Sequence, residues 1–164
     1  MSHRGQRLAA AAGPVVAALL GGLATDPDSR WFRDLQKPSW YPPPQAFGIV
    51  WTGLYAGLAW ASGEVLARDG GRPFGRAYAV NLALNTAWTP LFFRAHRPWA
   101  AAAESAVLTA STVDLARRAA RVSPGAAAVL APYAAWTTFA TALTVAIARR
   151  NRGEFRSWAS APGR

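Results

Sequence analysis

Charge is missing from long stretches of this chain. Leu8–Thr25 runs 18 residues without Asp, Glu, Lys or Arg, Pro38–Gly63 runs 26, Ala77–Phe93 runs 17 and Val122–Ala148 runs 27. A fifth stretch, Pro98–Val113, is 16 residues long and holds one charge, Glu104. A helix crossing a bilayer core of about 30 Å needs roughly 17–25 mostly apolar residues. Five such stretches in 164 residues leave too little chain for a separate soluble core. The alternative is a soluble, Ala-rich helical bundle. Its helices would carry polar faces at the 3.6-residue period, and Leu8–Thr25 carries none. The expected fold class is all-α, an integral membrane bundle of five transmembrane helices. It forms one domain over 1–151, with helices near 8–25, 45–67, 75–94, 98–117 and 124–149, and a polar tail over 152–164.

The 18 basic and 8 acidic residues give a formal charge of +10. Position decides what that charge means. Arg68, Arg76, Arg94, Arg97, Arg117, Arg118, Arg121, Arg149 and Arg150 sit at or near the ends of the uncharged runs. Arginines there reach lipid headgroups while their stems stay in hydrocarbon. With no basic stripe along a helix face, a lipid bilayer is the expected partner and nucleic acid is not. Eight basic residues fall on the amino-terminal side and ten on the other, a small bias that leans toward a cytoplasmic carboxyl terminus. Short loops and 17 Arg to one Lys are compatible with a bacterial inner membrane. The first run begins after Arg4 and Arg7 and resembles a secretory signal. Its end, Leu23-Ala24-Thr25-Asp26, is a poor small-x-small cleavage site, so it is read as the first helix.

The chain has no Cys and two His, His3 and His96. That excludes a disulfide scaffold and a thiol nucleophile, and leaves too little for a metal site; no metal is expected. His96, between Arg94 and Arg97, reads as exposed surface. Hydrolase motifs and Gly-rich phosphate loops are absent from the sequence, and the carboxylates are scattered.

Four groups of residues stand out. The first loop carries Trp31, Phe32, Trp40 and Tyr41 among four prolines. Proline stiffens such a segment. It is either an interfacial anchor or a lid over a pocket. The second predicted helix aligns Phe47, Trp51 and Tyr55 on one face; the third aligns Asn81, Asn85 and Trp88; the fifth aligns Tyr133, Trp136 and Ala140. Two Asn within an uncharged span are costly unless they face other helices or a cavity. Aromatic walls with a few polar anchors suit a large flat ligand. Ala79, Ala83 and Ala87 recur every fourth position, as does the pair Gly53 and Gly57. Small residues at that spacing mark a helix seam, either within the chain or between two copies. Glu104 lies about two turns into the fourth predicted helix, either at headgroup level or in a functional interior.

The stretch Trp31–Pro43, with Leu-Gln-Lys-Pro-Ser-Trp at 35–40, resembles the translocator protein family, also called TspO/MBR or tryptophan-rich sensory proteins. Three further motifs follow in register: Trp51-x-x-Leu54-Tyr55, Leu84-Asn85-Thr86-Ala87-Trp88 with Leu91-Phe92-Phe93, and Pro132-Tyr133-x-x-Trp136-x-x-Phe139-Ala140. The likeness spans about 8–151. It implies a five-helix membrane bundle, usually a homodimer, with a pocket opening beneath the first loop. It implies ligands such as protoporphyrin IX, isoquinoline carboxamides and benzodiazepines, with cholesterol for some members. By position Trp51, Asn85, Trp136 and Ala140 match family pocket residues, and Trp31 and Trp40 match the lid. Tyr55, Trp88 and Glu104 also fall on matching positions. Departures are Phe32 for a usual Tyr, Thr144 for a usual Asn, and Asn81 for a usual Gln. No Tyr occurs in Ala142–Arg150, so the proposed sterol motif is incomplete.

The expected function is binding of a tetrapyrrole in the aromatic interior, for sensing, sequestering or handling it, with no obligatory cofactor. Charge alone suggests Arg30, Arg33 and Lys37 as contacts for ring propionates. The resemblance offers a second reading, light-driven oxidative breakdown of bound porphyrin through Trp31 and Trp136. A third is transport or signalling through a partner.

Overall fold

The computed structural model describes residues 3–68 and 71–152. Described residues are helical nearly throughout, in the order α1 (His3–Ala24), α2 (Arg30–Asp34), α3 (Pro44–Ala67), α4 (Gly71–Thr89), α5 (Pro98–Ala120) and α6 (Pro124–Arg150). Among the described residues the α-helices number six: five long ones and α2, a single turn carried by the first loop. Ser29 starts it: the Phe32 N–H donates to Ser29 Oγ at 3.3 Å. Relative to the expected bounds α1 starts earlier, at His3, α4 runs Gly71–Thr89, and α5 reaches Ala120. From residue 153 onward the polar tail lies outside the described residues.

Pro43–Pro44, Pro98 and Pro124 open α3, α5 and α6, where the missing N–H has no helical partner to lose. Pro90 closes α4 differently. It can neither donate nor fit an α-turn, and the chain widens into a π-turn over Pro90–Arg94. This corrects the single helix expected over 75–94.

The long helices close a ring in the order α1–α3–α6–α5–α4. Gly13 lets α1 approach α4. A Cβ there would meet Leu82 Cδ1 at 2.5 Å and Tyr78 Oη at 3.2 Å. Tyr78 in turn donates to the Ala10 carbonyl at 2.6 Å. Helices of 19 to 27 residues measure about 28 to 40 Å at 1.5 Å per residue, enough for a bilayer core. Among the described residues, α6 meets both length and apolarity for a span by itself; α1 contributes a shorter apolar run, Ala10–Ala24. The outer surface supplies the rest. Leu8, Val15, Val16, Leu19, Leu20 and Leu23 of α1 point outward, as do Ile49, Val80, Val107 and Val129. Such a belt is a liability in water and a fit for hydrocarbon.

Candidate functional site: two tiers inside the bundle

Two interior tiers lie at different depths. The deeper one is polar. Tyr55 (α3) donates to Asn85 Oδ1 at 2.6 Å, and Asn85 Nδ2 (α4) donates to Tyr133 Oη at 2.9 Å. Tyr133 (α6) donates to Asn81 Oδ1 at 3.0 Å, and Asn81 Nδ2 donates to Thr112 Oγ1 of α5 at 3.0 Å. Thr112 completes the relay on the Leu108 carbonyl at 2.9 Å. Every donor points the same way along the chain of bonds, and four helices are tied at one level. Asn81 is fully buried and Tyr133 is 1% exposed. The two Asn therefore meet the condition that uncharged spans impose: each amide has partners on neighbouring helices. Trp51 packs its ring on this floor, 5.2 Å from Tyr55 and 6.2 Å from Tyr133.

Nearer the loop end the interior is aromatic. Trp88 stacks on Phe92 at 5.0 Å with 10° between planes. Trp136 lies 5.9 Å from Phe47 and 5.2 Å from Phe139. Trp40 caps Phe139 edge-on at 5.7 Å, and Tyr41 reaches Phe47 at 5.5 Å. The rings touch within each group, and Phe32 of the loop links the two, 6.5 Å from Tyr41 and 6.3 Å from Phe92. The tier is held by non-directional contacts and has polar atoms to spare. Trp88 Nε1, Trp136 Nε1 and both carboxyl oxygens of Glu104 are buried with no hydrogen-bond partner among the described residues. The antiparallel register set by Asn81 against Thr112 brings Trp88 and Glu104 to about the same level, two turns on. Glu104 thus sits in the interior and not in a basic loop. Ala140 is half-buried on α6. Thr144 is buried and turns its hydroxyl onto the Ala140 carbonyl at 2.8 Å.

The loop residues divide. Trp31 is buried, stacked on His96 at 4.3 Å and edge-on to Phe92 at 5.3 Å. His96 holds a left-handed backbone at φ 52° beneath it. Trp40 is 47% exposed. The cations expected at ring propionates are otherwise engaged. Lys37 Nζ donates to the Phe32 and Leu35 carbonyls at 2.6 and 3.3 Å and lies 4.4 Å over the Phe32 ring. Desolvation holds the Lys37 ammonium below its ordinary pKa, against the opposing charge of Asp34. Arg33 donates to the Asp28 carbonyl at 2.6 Å, and Arg30 pairs with Asp34 at the surface at 3.7 Å.

Outside the ring, Ala79, Ala83 and Ala87 line an open groove of about 660 Å³ with Ala12, Val16 and Leu20 of α1. The Gly53 and Gly57 pair does not form one seam. Gly57 meets Val129, 3.1 Å from where its Cβ would stand, while Gly53 faces open space.

Tyr133, which spacing and motif set on one face with Trp136, is the hub of the polar tier, a role the sequence did not assign. Asn151, 1% exposed, binds the first loop at Gln36. A partner 115 residues away leaves no local signal.

The profile of the TspO/MBR family matches residues 10–150. The chain is 38% identical over 130 residues to the translocator protein of Homo sapiens, covering 76% of each. It is 33% identical over 130 residues to the tryptophan-rich sensory protein of Cereibacter sphaeroides, covering 79% of this chain and 82% of that one. It is 34% identical over 128 residues to protein CrtK of Rhodobacter capsulatus, covering 76% and 80%.

Proposed function

The chain belongs to the TspO/MBR family of membrane proteins, and from that premise we propose that it binds a porphyrin or related tetrapyrrole between its helices, beneath the first loop, to sense, sequester or hand on the ligand. In this reading the five long helices each cross the membrane, which is a bacterial inner membrane with the carboxyl terminus cytoplasmic.

One observation carries the proposal: a bonded polar floor lies under an aromatic tier in which the Trp88 and Trp136 N–H groups have no partner among the described residues. A buried donor left unpaired costs about 1–3 kcal/mol, which a ligand acceptor recovers on binding. Trp51, Trp88 and Trp136 offer stacking surface, Tyr55 and Asn85 the floor, and Ala140 a small residue that leaves room for a ring. Trp40 closes the site from the loop, and Glu104 offers a hydrogen-bonding group of its own. Trp31, packed on Phe92 and His96, supports the cover. With Trp31 so enclosed, binding is favoured over photochemistry shared between Trp31 and Trp136. The groove along Ala79, Ala83 and Ala87 is where two copies pair, because small side chains let helices approach closely in lipid.

The test is a titration of the purified protein with protoporphyrin IX, following Trp fluorescence in the dark. Saturable quenching is expected, with Kd raised about tenfold, or 1.4 kcal/mol, in Trp136→Ala. Linear, unsaturable quenching overturns the reading. Pairing is tested separately. The chain has no Cys, so Ala83→Cys is expected to cross-link two copies and Val107→Cys is not.

A further inference from the structure

The first loop is built in two unlike parts. From Ser29 to Pro38 it is fastened. Asn151 Oδ1 accepts the Gln36 N–H at 2.9 Å, and Asn151 Nδ2 donates to the Gln36 carbonyl at 3.0 Å and to the Ile147 carbonyl at 2.7 Å. The side-chain amide thus stands in for a neighbouring strand while it also caps α6. Leu35, 5% exposed, packs in one cluster with Leu143 and Ile147 on the same helix, and with Trp31, Phe92 and Phe93. Lys37 returns to the carbonyls of Phe32 and Leu35. Ser39–Pro43 has none of this. Among the described residues its backbone bonds stay within the loop and the start of α3: Tyr41 N–H to the Pro38 carbonyl, and Ala46 N–H to the Pro43 carbonyl, both at 2.9 Å. Its hold on the bundle consists of the Trp40 and Tyr41 rings on Phe139, Phe32 and Phe47. Of these, Phe139 and Phe47 are the rings beside Trp136.

We propose that Asn151 is the positioning residue of the cover: it pins the loop at Gln36, so that Ser39–Pro43 alone swings out to admit a flat ligand while the Trp31 half stays docked. This rests on the reading that the ligand enters beneath the first loop. Directional bonds and buried aliphatic packing hold one half. The other trades ring contacts with the protein for ring contacts with the ligand, and its opening gives up at most one backbone bond, the Tyr41 N–H to the Pro38 carbonyl. Stiff prolines at 38, 42, 43 and 44 confine the swing to the short Ser39–Tyr41 stretch.

The experiment uses the native lack of Cys. Single substitutions Ser39→Cys, Leu35→Cys and Leu130→Cys are placed in the full chain in nanodiscs and exposed to a water-soluble maleimide. Ser39→Cys is expected to react at least about tenfold faster than Leu35→Cys. In an Asn151→Ala background Leu35→Cys accelerates at least about fivefold, and Ser39→Cys does not change. Asn151→Asp, which keeps an acceptor for the Gln36 N–H, falls between. Leu130→Cys, fully buried in the bundle, stays protected throughout and separates loop release from unfolding; if Asn151→Ala exposes it, Asn151→Asp decides. Equal reactivity at 35 and 39 in the native background, or no response to either Asn151 variant, overturns the proposal. Protoporphyrin IX titrations run beside the labelling keep the two ideas apart. Saturable binding with the labelling pattern absent removes the clamp and leaves the ligand reading. The labelling pattern without saturable binding leaves the clamp and removes the ligand reading.

Discussion

The polar and aromatic tiers are neighbours in one bundle and solve opposite problems. In the polar tier Tyr55, Asn85, Tyr133, Asn81 and Thr112 satisfy one another across four helices. In the aromatic tier Trp88, Trp136 and Glu104 keep polar atoms buried and unmatched. Directional bonds that tie four helices together make a scaffold. Stacked rings with spare donors make a place that a guest can enter. In the proposed reading the difference divides the labour: a ligand rests on the first tier and rearranges the second.

The largest expected effect breaks the scaffold. Asn85→Ala removes bonds to both Tyr55 and Tyr133 and should cost about 2–3 kcal/mol, seen as a clear fall in the thermal midpoint in detergent. A midpoint unchanged within about 2 °C would show that the polar tier carries no stability. Tyr133→Phe keeps the ring and drops the hydroxyl between the two Asn; about 1–2 kcal/mol is expected, with porphyrin affinity nearly kept. Glu104→Leu tests the other tier. Replacing an unpartnered buried carboxyl with an apolar side chain should raise ligand-free stability by about 1 kcal/mol. If the midpoint drops instead, Glu104 has a stabilising partner. Trp88→Phe sharpens the contrast further. It deletes a donor that has no partner, so stability should stay within about 0.5 kcal/mol while protoporphyrin IX affinity falls a few-fold. Equal affinity in both proteins would show that this N–H does not meet the ligand.

The smallest effect lies in the loop. Burial depresses the Lys37 pKa below the 10.5 of an unfolded chain, so the unfolded state binds the proton more tightly. Lys37 therefore favours folding slightly more as pH climbs from neutral toward 10.5. In Lys37→Met that part of the slope should vanish from a stability profile over the same range.

Much of this was legible in residue spacing. The uncharged runs marked the long helices, because hydrocarbon tolerates few charges and demands length. Asn81 and Asn85 announced an interior contact, because two amides in an uncharged span must be matched by something. Three things were not legible. The loop's one-turn helix is five residues long, below any periodic signal. The bonds of Lys37 to the Phe32 and Leu35 carbonyls were not legible, because charge in a sequence carries no direction. Asn151 carried no signal of its own, and its partner at Gln36 is brought to it by the packing of α6 against the loop.

Composition and order along the chain determined that this protein is helical, that it lives in a membrane, and which faces are aromatic or polar, since each follows from local periodicity and from the cost of charge in lipid. Which polar groups are paired, which half of the loop is held, and which indoles keep an unspent N–H were decided by the tertiary structure. Those are contacts between residues tens of positions apart, and hydrogen bonding depends on distance and direction that no one-dimensional pattern contains.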